Sequence, residues 1–241
     1  MAVGAGGRDT GRENGGDHVL TLSQCLPIWD KLTAQEREQL SAAAQLRTVP
    51  GGTMVHSGEA DCLGLLAICR GQLRVYILSE EGREVTLYRL FARDICLFSA
   101  SCVMKNLQFD LMIQAEKETV FWVIPAPVYR GMMERSAPLA NYTNELMAAH
   151  MSEMMWLMEQ ILWGRMDQRL AAFLVEESEL EGSGRLCVTH ERIANHLGTA
   201  REVVTRMLRY FQSEGMVRLA RGTVELQDRK KLRQLASGSR P

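Results

Sequence analysis

No stretch of the 241 residues is apolar for long enough to cross a membrane, and the longest helical candidate is interrupted by Glu153, Glu159, Arg165 and Asp167. The opening residues, Met1 to Asp17, carry glycine and charge but no apolar core of the kind a secretory signal requires. A cytoplasmic location is therefore the expectation. Six cysteines, Cys25, Cys62, Cys69, Cys96, Cys102 and Cys187, include no C-x-x-C pair and no histidine-rich spacing. That excludes a zinc-ribbon type of metal site and leaves thiols that the cytosol keeps mostly reduced. Motifs of catalysis are also missing. There is no G-x-S-x-G elbow, and the glycines at Gly4 to Gly7 follow no strand, so they make no phosphate loop. Glu80-Glu81 and Glu176-Glu177 read as solvated turn and helix residues rather than paired catalytic carboxylates. No catalytic and no metal-ligating set is expected, and the chain is not read as an enzyme.

An excess of one charge is lacking only on average. The formal net charge is −1. From Arg185 to Pro241 there are twelve Lys and Arg against five Asp and Glu, a net of +7, while the upstream part carries sixteen against twenty-four, a net of −8. A basic carboxy-terminal segment suits phosphates. The length allows about two domains.

The most informative stretch lies in that basic segment, THERIANHLGTAREVVTRMLR from Thr189 to Arg209. Counting from His190, the fifth residue is Ala194, the ninth Gly198 and the fifteenth Val204. A small fifth residue lets two helices approach, a glycine accepts the turn between them, and an apolar fifteenth residue packs the second helix back. Ile193, Leu197 and Met207 complete an inward set at helical spacing. Thr189 is the expected N-cap of the first helix, with Glu191 in its first turn. Thr199-Ala200-Arg201-Glu202 fits a capping box for the second. Arg201, Glu202, Thr205 and Arg206 then face outward. Arginine can donate two hydrogen bonds to guanine and glutamate can accept from cytosine, which is what a major-groove reader requires. Downstream, Met216 to Ala220 and Thr223 to Leu226 read as a hairpin wing around Arg221-Gly222, with Arg218 and Arg221 suited to the phosphate backbone.

Upstream, Leu20 to Leu26 and Thr33 to Ala44 read as short helices. Short apolar runs separated by glycine turns follow, at Thr53 to His56, Leu63 to Cys69, Gln72 to Leu78, Glu84 to Leu90, Gln108 to Ala115 and Thr119 to Ile124. Such spacing predicts an antiparallel barrel or double-sheet roll over about Leu46 to Pro125. Pro125 and Pro127 lead into a short helix, and a long one is expected from about Leu139 to Trp163. Leu146, His150, Glu153 or Met154, Leu157, Ile161 and Gly164 form a stripe that could pair with its twin. Methionines and tryptophans surround it almost on all sides, which implies packing both on a partner helix and on the roll. Gln168 to Glu179 resumes as helix.

This order resembles the Crp/Fnr superfamily of bacterial transcription regulators. PGGTMVHSGE, RGQLRVYILSEEGREVTLYRL, DQRLAAFL, THERIANHLGTAREVVTR and EGMVRLARGTVEL carry the resemblance. It implies an α+β fold: residues 1–19 disordered, an amino-terminal antiparallel β-roll of the double-stranded β-helix or jelly-roll kind with flanking helices over 20–137, a dimerisation helix over 138–164, and a winged helix-turn-helix over 165–241. It also implies a homodimer on a palindromic double-stranded DNA operator, acting with RNA polymerase, and a sensor domain that repositions two recognition helices. Thr189, Thr199, Arg201, Glu202, Thr205, Arg206, Arg218 and Arg221 are the DNA-binding candidates.

The sequence departs from two branches of that family. Where cyclic-nucleotide binders have an arginine followed by serine or threonine, it reads Leu107-Gln108-Phe109-Asp110, an acid where a phosphate needs a cation. Where the oxygen-sensing branch has a run of amino-terminal cysteines, it has Cys25 alone, and Trp122 stands near the place of the inner ligand. The cofactor is unknown. Cys96 and Cys102, with Cys62 and Cys69, read either as buried small hydrophobes or as a redox switch or a haem or other metal centre with His56 and His150. Either reading leaves room for a small-molecule effector between the roll and the Met- and Trp-rich helix, near Trp156. A cyclic-nucleotide-responsive regulator is one alternative. A cupin-like metal-dependent enzyme is the other, disfavoured because the strands offer only His56.

Overall fold

The computed structural model describes residues 20–58, 63–97 and 111–238. Two short helices come first among the described residues, α1 (Leu22–Cys25) and α2 (Ala34–Ala43). Thr33 caps α2 by accepting from the Glu36 amide, while the Glu36 carboxylate reaches back to the Thr33 amide. Among the described residues eight strands follow: β1 (Gln45–Val49), β2 (Met54–Ser57), β3 (Leu65–Arg70), β4 (Leu73–Leu78), β5 (Glu84–Leu90), β6 (Ile95–Cys96), β7 (Met112–Ala115) and β8 (Thr119–Ile124). They form two four-stranded antiparallel sheets, ordered β1-β8-β3-β6 and β2-β7-β4-β5. This is the expected double-sheet roll. The strand expected from Gln108 begins at Met112; residues 108–110 lie outside the described residues.

The sequence of β3 explains its place. Leu65, Ala67 and Cys69 enter a core shared with the helices, whereas Leu66 and Ile68 enter the core between the sheets. Both faces are covered, so the strand is a continuous apolar run rather than an alternating one. β5, by contrast, is the outer strand of its sheet and mostly half-buried.

After α3 (Ala126–Met133) comes α4 (Ala137–Trp163), 27 residues long. Leu139, Leu146 and Met147 pack on the helix-side core, Met147 and Met154 on the inter-sheet core. His150 is buried. The first part of the stripe expected to pair with a twin, Leu146, His150 and Met154, is thus turned toward the protein's own roll, while Ile161 further along it stays exposed. The exposed apolar side runs through Met151, Met155, Trp156, Met158, Leu162 and Trp163. Burial of Leu146, His150 and Met154 against the strands decides which side stays open.

The carboxy-terminal part comprises α5 (Met166–Leu180), β9 (Arg185–Leu186), α6 (His190–Leu197), α7 (Arg201–Ser213), β10 (Val217–Ala220), β11 (Thr223–Leu226) and α8 (Arg229–Ala236). Its separate core includes Leu170, Leu174, Ile193, Val204, Leu208, Phe211 and Leu232. The hairpin of β10 and β11 is the expected wing, and β9 adds a third strand to it.

Candidate nucleic-acid interface

Thr189 caps α6, its hydroxyl accepting from the Arg192 amide at 3.1 Å. Gly198 ends that helix with φ +61°, in the left-handed region where a side chain is strained. The capping box expected at Thr199 does not form. The Thr199 amide closes the end of α6 by donating to the Ala194 carbonyl at 3.0 Å, so the chain turns into α7 one residue later. Ala200 occupies the N-cap without a side-chain hydrogen bond. The tight turn consumes Thr199.

On α7, Val204, Leu208 and Phe211 are buried at helical spacing, leaving Arg201, Glu202, Arg206 and Arg209 exposed. Thr205 is half-buried; its hydroxyl donates to the Arg201 carbonyl and so accepts from His190 Nδ1, both at 2.9 Å. Burial and the charges of Arg201 and Arg209 lower the His190 pKa, which keeps the ring neutral for that role. Arg218 and Arg221 are exposed on the wing. The exposed set therefore offers guanidinium forks and one carboxylate on a single helix, with two more cations on the adjacent hairpin. Thr189 and Thr199 serve the two helix ends nearby.

The comparisons with known proteins agree with this geometry. Residues 168–235 match the Crp-like helix-turn-helix domain family. A structure from Eubacterium rectale, described as a transcriptional regulator of the Crp/Fnr family, shares 54% identity over 88% of this chain and 99% of its own, with a TM-score of 0.87. The chain belongs to the Crp/Fnr family. Among curated relatives, the fumarate and nitrate reduction regulatory protein of Yersinia pestis is 26% identical over 92% of this chain and 90% of its own length. The cyclic AMP receptor protein of Thermus thermophilus is 25% identical over 88% and 97%. This Crp/Fnr protein is thus a DNA-binding transcription regulator with a sensor roll, and regulators of the family act as dimers.

The first helix of its DNA-binding motif is docked on its own sensor domain. Arg89 of β5 places Nε 2.9 Å from Glu116 and pairs through Nη1 with Glu177 of α5. The Glu116 carboxylate also accepts from Gln72 at 2.7 Å and Arg192 at 3.0 Å, and lies 3.4 Å from His196 Nε2. Arg74 Nε donates to Thr86 Oγ1 at 2.7 Å, and that hydroxyl lies 2.9 Å from His196 Nδ1. Arg89 Nη2 stands 3.2 Å from His196 Nε2 on the side of Glu116. Burial alone would raise the Glu116 pKa, but the His196 hydrogen bond and the Arg89 and Arg192 charges outweigh it and hold it at about 2. Burial lowers the His196 pKa, against the pull of Glu116. Beside this cluster, a Cβ added at Gly198 would stand 2.6 Å from Val85 Cγ2.

Sequence reasoning missed this cluster, and it placed Glu177 wrongly. Glu80, Glu81 and Glu176 are exposed as expected; Glu177 is buried, where Arg89 meets it.

The residues singled out for sensing are brought together only in part. Cys96 is fully buried in the inter-sheet core, which Tyr88 and Met154 also reach. His150 stacks on Tyr88 with ring centroids 4.7 Å apart. Trp156 is 61% exposed and, with Tyr88, lines a cavity of about 320 Å³ between β5, α4 and α5. His56 is buried on β2. Cys62, Cys102 and the Leu107-Gln108-Phe109-Asp110 segment lie outside the described residues. Among the described residues no group of three or more His, Cys, Asp or Glu side chains is placed to hold a metal ion, and no helix is long and apolar enough to cross a membrane.

Proposed function

We propose that this regulator reads a palindromic operator with the exposed face of α7, using Arg201, Glu202 and Arg206 on base edges, and that Arg218 and Arg221 hold the backbone. Thr205 tunes the reading helix through His190, while Thr189 and Thr199 shape the turn and approach the phosphates. The observation that carries this is the coincidence of three outward charges on a helix whose other face is buried. Arg206→Ala tests it by titration against operator and scrambled duplexes recovered from a randomised library. Loss of preference supports base reading. Wild-type affinity on both duplexes refutes it.

The homodimer seam is the open side of α4. Ala148, Met151, Met155, Met158 and Leu162 are all exposed and recur at alternating three- and four-residue intervals, the spacing of a coiled-coil seam. The signal, a small molecule, a redox agent or a gas, enters the roll where α4 crosses it. The Tyr88–His150 stack and buried Cys96 support that location. The buried cluster of Arg89, Glu116, Glu177 and His196 holds the resting arrangement, and release of this contact frees the two reading helices to take the spacing of the operator. The protein acts in the cytoplasm, with RNA polymerase as its partner in transcription and without catalytic activity of its own.

A further inference from the structure

A pair of thiols in the sensor domain takes no part in DNA reading or domain docking. Cys25, at the end of α1, and Cys69, in β3, are 44 residues apart in sequence, yet their Sγ atoms stand 3.2 Å from one another. Cys25 is fully buried and Cys69 nearly so. The Leu20 carbonyl accepts from the Trp122 indole at 3.1 Å and lies 3.5 Å from the Cys69 sulfur. A bulge between Ile68 and Arg70 leaves Cys69 without a ladder partner on β8, an arrangement that re-aims side chains. An S–S bond is about 2.05 Å long, so the two sulfurs must close by about 1.2 Å.

We propose that Cys25 and Cys69 are a redox modification site, a dithiol that hydrogen peroxide converts to an intramolecular disulfide joining α1 to β3. The Cys25 thiolate attacks one peroxide oxygen, the O–O bond breaks, and a sulfenic acid and one water result. Cys69 then attacks the Cys25 sulfur, the S–O bond breaks, and a second water leaves. Both thiol protons end in water; the two sulfurs give up two electrons and the peroxide takes them. Burial raises both thiol pKa values, that of Cys69 to about 12 with the Cys25 hydrogen bond adding to it. The pair is therefore protonated at neutral pH and reacts slowly, faster as the pH rises. Cys25 is the attacking sulfur because the Cys69 hydrogen bond and the Arg93 charge partly offset its burial. The new bond lies in the core that holds Tyr129 of α3 and Leu139 of α4, so it stiffens the support of the dimer helix.

The test uses the full chain, reduced and desalted, then treated with hydrogen peroxide, alkylated and mapped by mass spectrometry. The expected product is lighter by two hydrogens, contains a Cys25–Cys69 linked peptide, is restored by dithiothreitol, and forms faster at higher pH. Cys25→Ser and Cys69→Ser should each lose it. A urea-unfolded sample provides the second measurement, independent of whether those variants fold. Linkage of Cys25 to Cys69 no more selective in the folded than in the unfolded chain overturns the proposal, as does oxidation that joins other cysteines while these two stay alkylatable.

Discussion

Arg89→Met isolates the docking of the DNA-binding domain on the sensor roll. The substitution keeps apolar volume but removes the cation between Glu116 and Glu177. All three side chains are largely buried, at 7%, 6% and 11% exposure. Removing one partner of a buried pair costs about 3–5 kcal/mol, because the other charge is stranded. Glu116 keeps Gln72, Arg192 and His196, so the loss falls chiefly on Glu177 and the lower end applies, about 3 kcal/mol. Glu177 regains water when the domains part, and the cost is therefore charged to the docked state. At about 1.4 kcal/mol per factor of ten, docking weakens roughly 100-fold. Hydrogen–deuterium exchange over residues 84–90 and 190–197 measures it, since α6 covers the outer strand β5. Exchange should accelerate in both segments together. Arg83→Met is the control: its Glu81 pair is 70% and 72% exposed, and such pairs contribute about 0–1 kcal/mol. Equal exchange in wild type and Arg89→Met, or equal acceleration in both variants, would refute the reasoning.

Arg206→Ala should cost about 1–3 kcal/mol at the specific site and relax base preference, whereas Arg221→Ala should weaken all duplexes alike and lower the salt slope by about one, both read by fluorescence anisotropy across a salt series. In the proposed α4 seam, Met158→Glu would place two carboxylates and remove about 1.5–3 kcal/mol of apolar burial from each copy. Sedimentation should show the dimer dissociating at least a hundredfold more readily, and an unchanged dimer would move the seam elsewhere. Docking should also respond to pH. His196 has a lower pKa docked than free, so docking is complete above the ordinary value of 6.5 and weakens as pH falls below it. Glu116 adds a second loss in the same direction between its ordinary 4.5 and about 2. Protection factors at residues 190–197, corrected for the intrinsic pH dependence of amide exchange, that stay constant from pH 8 to pH 5 would exclude a contribution of His196 titration to docking.

Elements whose signal is local were legible in the sequence. Glu84–Leu90 and Thr119–Ile124 read as strands over their full observed spans, because turn residues bracket apolar β-formers there. The helix-turn-helix was legible for a similar reason: Ala194, Gly198 and Val204 meet three steric demands within fifteen residues. The docking cluster was not. Arg89 and Glu177 are 88 residues apart, Arg192 and Glu116 are 76 apart, and a charged residue met in isolation reads as solvated. Cys25 and Cys69 were hidden in the same way, their proximity arising only when α1 folds onto β3. The short α8 has one fully buried residue, Leu232, too weak a pattern to separate from a basic tail.

The link between α4 and α5 gives the docking contact its leverage, and Gly164 is where that can be tested. Gly164 and Arg165 are extended, with ψ 133° and 141°, between two helices. A Cβ at Gly164 would stand 2.3 Å from the Gln160 carbonyl oxygen. Backbone cannot yield as a flexible side chain can, so Gly164→Ala must rotate the link. Glu177 lies about 18 Å further along α5 at 1.5 Å per residue, and a rotation of ~10° there displaces it by about 3 Å. That displacement breaks its pairing with Arg89. Gly164→Ala should therefore raise exchange at 84–90 and 190–197 much as Arg89→Met does, without touching any group in the cluster. If the link acts through the same ion pair, the two substitutions combined should cost clearly less than the sum of each alone. Full additivity would mean that rotation at Gly164 reaches the interface by another route, and the pivot would have to be separated from the Arg89–Glu177 contact.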